Sequence, residues 1–145
     1  MITARSSREA DRHAVARLAT TARQLIAGER GGPALLDSLT SVDAMAAASG
    51  GSSEFVLVGE IGGCVVGYAL VGINGVVGTI AELFVEPEAR GVGVGHVLLA
   101  EALSALRERG VTRADTSALP GDRSTKNFFE AHGMVTRLLT PSRAL

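Results

Sequence analysis

Residues 83–99, Leu-Phe-Val-Glu-Pro-Glu-Ala-Arg-Gly-Val-Gly-Val-Gly-His-Val-Leu-Leu, constrain the fold of this chain more than any other stretch. Phe84 and Val85 end an apolar run, and Pro87 has no N–H with which to continue a ladder. From Val97 the apolar residues recur at helical spacing: Leu98, Leu99, Ala102, Leu103 and Leu106. The stretch therefore reads as a strand, a tight turn and a glycine-rich loop that opens directly into a helix. Gly91, Gly93 and Gly95 leave backbone N–H groups bare at the positive end of that helix. Orphan amides, a favourable dipole and no side chains in the way make a phosphate site. As a mere packing turn, three alternating glycines would be a waste of backbone entropy.

Spacing narrows the ligand. The dinucleotide fingerprint G-x-G-x-x-G fails, because its third glycine would be His96 counted from Gly91, or Leu98 counted from Gly93. A P-loop fails for want of a following Gly-Lys-Ser/Thr. What fits is Arg-x-x-Gly-x-Gly, filled by Arg90, Gly93 and Gly95 after Glu-Leu-Phe-Val-Glu-Pro. This closely resembles the acyl-CoA-binding motif of the GCN5-related N-acetyltransferases (GNAT), in which the loop grips the CoA pyrophosphate.

The 145 residues suit one domain, 1–145, long enough to bury a core. With only five aromatic residues against 46% hydrophobic content, that core must be built from Val, Leu, Ile and Ala. A net charge of −1 argues against a general nucleic-acid binder, and no apolar run approaches a membrane span. The lone Cys64 excludes an internal disulfide and is expected to be a small buried hydrophobe in a reducing, cytoplasmic setting. Arg5, Arg8, Arg12, Arg17 and Arg23 imitate a transit peptide, but Glu9 and Asp11 interrupt the pattern, so the chain is read as untargeted.

Along the chain, residues 2–5 read as a short strand, and Ser6-x-x-Glu9 as a capping box before a helix whose face is Val15, Leu18, Ala22, Leu25 and Ile26. Gly28 suits the end of that helix. Pro33 opens a second helix carrying Leu35, Leu36, Leu39 and Met45, closed by a loop at 49–53. Strands at 55–58, 64–73 and 76–85 follow, joined by a turn at 60–63 and by Asn74-Gly75, a strong hairpin signal. Gly67, Gly72 and Gly78 inside the strands point to bulges or to close approach of another backbone. After the central helix come a strand at 111–118, parallel to its predecessor, a short helix at 124–132 and a final strand at 134–139. The expected class is α/β: a mixed, mainly antiparallel sheet flanked by helices.

This order is similar to that of the GNAT fold over nearly the whole chain. The resemblance implies a sheet split between the fourth and fifth strands, with the pantetheine arm lying in the gap against the backbone of Phe84 and Val85. It also implies a pyrophosphate held by Arg90, Gly91, Val92, Gly93, Val94, Gly95 and His96, and an acetyl group passing from acetyl-CoA to a primary amine by direct attack in a ternary complex. For Arg90 and His96, simple surface exposure is the alternative. Asn127 faces the pantetheine or phosphates, or caps its helix.

The attacking amine must be neutral, so a base or a water chain has to take its proton. Glu82 is the first candidate, against a plain solvated position on the strand, with Glu86 and Asp115 behind it. A backbone N–H near Val85 would serve the oxyanion. In the family a tyrosine of the last helix commonly protonates the thiolate, within Phe-Tyr-Glu-x-x-Gly-Phe. Here the matching residues 128–134 put Phe129 in that place, where it has no proton to give. A thiol pKa of about 8.5 makes the thiolate a tolerable leaving group, with water, Ser124 or Thr125 as relays. Tyr68 is core or pocket lining. His13, His96 and His132 lack ligand spacing, so no metal is expected.

The acceptor site is expected between the two N-terminal helices, the loop at 30–32 and the last hairpin. Residues 1–30 hold six arginines against three acids, which suits an acidic acceptor or simply amphipathic helices. A small-molecule amine is the favoured acceptor. A protein or peptide acceptor, or a non-catalytic acyl-CoA-binding regulatory module, are the alternatives. A homodimer is suggested by analogy.

Overall fold

Alternating and continuous apolar runs in the middle of the chain build a sheet, described here from a computed structural model covering residues 1–47 and 53–145. Its strands are Ile2–Ser6 (β1), Glu54–Ile61 (β2), Cys64–Asn74 (β3), Val77–Val85 (β4) and Arg113–Thr116 (β5), and they lie side by side in chain order. The first three pairings are antiparallel and β4–β5 is parallel. The two central hairpins turn at Gly62-Gly63, with φ of 55° and 85°, and at Gly75, with φ of 62°. The first turn thus falls two residues later than the sequence suggests, because Glu60 and Ile61 still pair with β3.

Helices cover both faces. Val94–Glu108 (α4) packs on one, with Leu98, Leu99, Ala102 and Leu106 buried against Phe55, Leu57, Val71 and Ile80. The other face carries Arg12–Ala27 (α1), whose Val15, Leu18, Ala19 and Ala22 meet Val56, Val58, Tyr68 and Leu70. Leu25, placed on the inner face from the sequence, is half exposed. Close approach explains two of the strand glycines. A Cβ at Gly67 would lie 2.7 Å from the Phe84 carbonyl oxygen, and one at Gly78 2.6 Å from Leu106. Gly72 has no such neighbour.

The structure corrects several boundaries. Ser6 ends β1, and a 3-10 turn, Glu9–Asp11, leads into α1; it is capped at Arg8, whose backbone N–H donates to Asp11 Oδ2 at 2.7 Å. Asp11 also takes both Nη atoms of Arg5, at 2.7 and 3.0 Å, which holds its carboxyl below the usual carboxylate range. The expected second helix is two short ones, Gly32–Asp37 (α2) and Val42–Ala47 (α3), interrupted where Ser41 Oγ accepts from Ala44 N–H. Of the expected loop at 49–53, only Ser53 lies within the described residues. Cys64 is exposed, because it opens β3 beside the hairpin turn.

The largest correction is at the end. The last helix is Arg123–Ala131 (α5), and no strand forms at 134–139. A strand exists only through a ladder partner, and β5 is four residues long. Leu138 and Leu139 are each 82% exposed. The final hairpin expected to wall an acceptor site is therefore not formed.

Candidate active site

The loop before α4 has the conformation its glycines allow. Pro87–Ala89 forms one 3-10 turn that buries Ala89, and Gly91 and Gly93 then take φ of 83° and 102°. Gly93 is the N-cap of α4 and offers no side-chain cap; the first turn closes only with Val97 N–H on its carbonyl at 3.1 Å. Among the described residues, the N–H groups of Val94, Gly95 and His96 have no backbone acceptor. Val92 is exposed, and open space surrounds the Cβ positions of Gly91 and Gly93. Gly95 is different: its Cβ position lies 3.5 Å from the ring of Phe128 on α5.

The neighbouring strand edge is open as well. The β4–β5 ladder runs only from Val77↔Arg113 to Ile80↔Thr116, where Thr116 Oγ1 donates to the Ile80 carbonyl at 2.9 Å. Beyond this point, residues 81–85 have no ladder partner on the β5 side. The parting coincides with a bulge: Glu82 opposes Leu70 and Ile80 opposes Val71, so Ala81 is extra. Phe84 and Val85 lie on this open edge, which runs on through 86–93 toward the uncapped start of α4. The Val85 carbonyl is not free, since Arg90 Nε donates to it at 2.8 Å, with the guanidinium 5.5 Å from the Phe84 ring. Arg90 thus turns back along the strand edge.

On the far side of the loop, α5 is capped by Asp122, which accepts from Thr125 N–H at 3.1 Å and from its hydroxyl at 2.6 Å. Asn127 is therefore not the cap and lies exposed on the second turn. His96 Nδ1 and His132 Nε2 meet at 2.6 Å, joining the first turn of α4 to the end of α5. Phe129 is only 7% exposed and packs into the α4 core, so no proton donor stands there.

Each carboxylate considered as a base is paired. Glu82, with 3% of its side chain exposed, receives Arg23 Nη2 on Oε1 at 2.6 Å and the Tyr68 hydroxyl on Oε2 at 2.8 Å. Burial, with the Glu82 charge beside it, drives the Tyr68 phenol far above its ordinary pKa and keeps it protonated. Tyr68 is core and not pocket lining. Glu86 faces Arg17 at 3.5 Å, and Asp115 faces Arg113 at 3.2 Å. Arg23 is the residue that sequence reasoning missed. It continues the inner stripe Val15, Ala19, Arg23 at i, i+4, i+8, and a guanidinium there needs a buried carboxylate partner. Among the described residues there is no group of three or more metal-binding side chains, and no helix is long and apolar enough to cross a membrane.

Comparison with known proteins agrees with this architecture. The acetyltransferase (GNAT) family profile matches residues 20–134. No curated protein matches the chain. Among solved structures, the tetramutant of BH1408 from Bacillus halodurans superposes with a TM-score of 0.76 at 19% identity, over 98% of this chain and 99% of that one. AAC(6')-Iy, in complex with a bisubstrate analog of CoA and acetylneamine, gives 0.73 at 17% identity, over 100% and 99%. A ribosomal-protein-alanine N-acetyltransferase from Brucella melitensis gives 0.74 at 13%, again over 100% and 99%. The chain belongs to the GNAT family of acetyltransferases.

Proposed function

We propose that this chain transfers the acetyl group of acetyl-CoA to a primary amine of a small molecule, by direct attack in a ternary complex. One observation carries the reading: an unpaired strand edge at 81–85 leads into a glycine loop whose helix has three N–H groups without acceptors. The edge suits the amides of a pantetheine arm along Phe84 and Val85, and the loop suits its pyrophosphate at Gly91, Val92, Gly93, Val94, Gly95 and His96. Arg90, whose Nε donates to the Val85 carbonyl beside the loop, is assigned to the phosphates as the loop's cation. Asn127, exposed on α5, is assigned to the same ligand.

In the reaction the amine nitrogen forms a bond to the thioester carbon, the C–S bond breaks, and the thiolate leaves. A backbone N–H of the open edge near Val85 holds the oxyanion. The amine proton departs through water, because Glu82 is buried with both oxygens already engaged by Arg23 and Tyr68, and Glu86 and Asp115 each face an arginine. Water also delivers the proton to sulfur, since Thr125 already donates to Asp122. A small amine is supported by structural similarity to an aminoglycoside acetyltransferase, from a soil metagenomic sample, in complex with sisomicin. We place the protein in the cytoplasm as one domain, a homodimer by analogy.

The test is amine-dependent release of CoA thiol from acetyl-CoA across small amines and peptides, with the product weighed by mass spectrometry. Turnover with small amines supports the reading. Turnover with peptides alone gives a protein acetyltransferase. Binding without turnover, which buried Phe129 favours, gives an acyl-CoA-binding module.

A further inference from the structure

The two faces of β4 do not alternate evenly. Ile80, Leu83 and Val85 join the core under α4, whereas Ala81 and Phe84 pack toward α1. Strict alternation from Ile80 would carry Glu82 to the α4 face, among Leu98, Leu99 and Leu106, and no cation is buried there among the described residues. The extra residue at Ala81 turns Glu82 to the other face, where Arg23 and Tyr68 meet it. Arg23 is itself held: its Nη1 donates to the Thr40 carbonyl, and its Nη2 lies 3.8 Å from Met45 Sδ. The side chain of Glu82 is 3% exposed and that of Arg23 14%. An unpaired carboxylate in the α4 core would be far costlier than this buried pair, so the pair selects the bulged register over the regular one.

That bulge lies where β4 leaves β5, one residue after the last ladder pair, Ile80↔Thr116. A bulge bends its strand and increases the local twist. We infer that Arg23, Glu82 and Tyr68 form a clamp that holds the bulge at Ala81 and so keeps the β4 edge open for an acyl-CoA arm. Arg23 and Glu82 are then positioning residues, and Glu82 is not the proton acceptor. The inference rests on the acyl-CoA reading for its ligand, but not for its effect on the backbone.

Glu82→Gln and Tyr68→Phe test it, both near-isosteric, alongside Arg23→Met. Three readouts are used: amide hydrogen exchange over 80–85 in the unliganded protein, acetyl-CoA affinity, and the pH profile of kcat. The clamp predicts faster exchange over 80–85 and acetyl-CoA binding at least tenfold weaker in Glu82→Gln and Arg23→Met. Tyr68→Phe should move the same way by a smaller factor, and the acidic limb of the kcat profile should stay in place in all three. Unchanged exchange in both Tyr68→Phe and Glu82→Gln overturns the inference, even if Arg23→Met does not fold. So does a Glu82→Gln enzyme that binds acetyl-CoA normally but loses kcat together with its acidic limb, for Glu82 would then be the base. A wild-type protein that fails to bind acetyl-CoA sinks the acyl-CoA reading instead, and exchange alone then decides whether the clamp exists.

Discussion

Gly93, the N-cap of α4, and Gly95, in its first turn, sit two residues apart and make different demands. Gly93 holds φ of 102° with open space at its Cβ position, whereas Gly95 lies outside the left-handed region and meets Phe128 at an ordinary 3.5 Å. Backbone strain alone should make Gly93→Ala less stable by about 1–2 kcal/mol. Gly95→Ala should stay within about 0.5 kcal/mol of wild type. Urea unfolding of the two variants checks the pair, and equal losses would contradict it.

Asp11 makes the prediction for pH. Its folded pKa is depressed, first by the Arg5 hydrogen bonds and then by the Arg8 N–H, against the penalty of burial. A depressed carboxylate stabilises the fold above its unfolded pKa of about 3.9, and that contribution is lost as pH falls through the folded value. Asp11→Asn should therefore be less stable near neutrality, and its stability should fall less steeply in acid than that of wild type. Thermal unfolding from pH 7 downward reads both.

Among the elements, α4 carries the packing of one sheet face, and its fit depends on what β3 lacks. A Cβ at Gly67 would press on the Phe84 carbonyl at 2.7 Å and on Leu98 at 3.2 Å. A Cβ at Gly72 meets only the Ser53 carbonyl, at 3.8 Å. Gly67→Ala should cost about 1–3 kcal/mol and Gly72→Ala well under that. Leu98→Ala, at a fully buried site, should cost about 2–5 kcal/mol.

How far these elements were legible follows from what holds each of them. The central hairpins and α4 announce themselves through local signals: Asn74-Gly75, the apolar runs, and leucines at helical spacing. The sequence puts Met45 on a helix, as the structure does, but carries no sign of the break at 38–41. A hydrophobic pattern passes over a short interruption, and only Ser41 capping Ala44 marks it. The stretch at 134–139 has a strand's composition, yet strand formation is decided by a partner and none pairs with it. At the candidate site, the loop was readable because glycine spacing is itself the signal. The pairing of Glu82 was not, because Arg23 lies 59 residues away and only the bulge brings the two together.

On the scale of the whole molecule, one face of the sheet is held by α4 and the other by α1, and β4 lies between these two layers. The strand is paired along its β3 side except at the bulged Ala81, and along only four residues on the β5 side. In the proposed function that half-open strand and the uncapped start of α4 take the acyl-CoA, so the site is made of elements otherwise present for stability. Ligand that binds only the folded state should raise the unfolding free energy by RT ln(1 + [L]/Kd), about 2.7 kcal/mol at a hundredfold excess over Kd.

Calorimetric titration with acetyl-CoA, on the wild type and on Val92→Glu, bears most directly on this site. Val92 is 56% exposed and has no positive φ, so the variant adds a carboxylate beside the free N–H groups without straining the backbone. Saturable one-site binding that weakens at least tenfold in Val92→Glu is the predicted result. Absence of binding to the wild type, or equal binding to both proteins, would contradict the assignment of this loop to acyl-CoA.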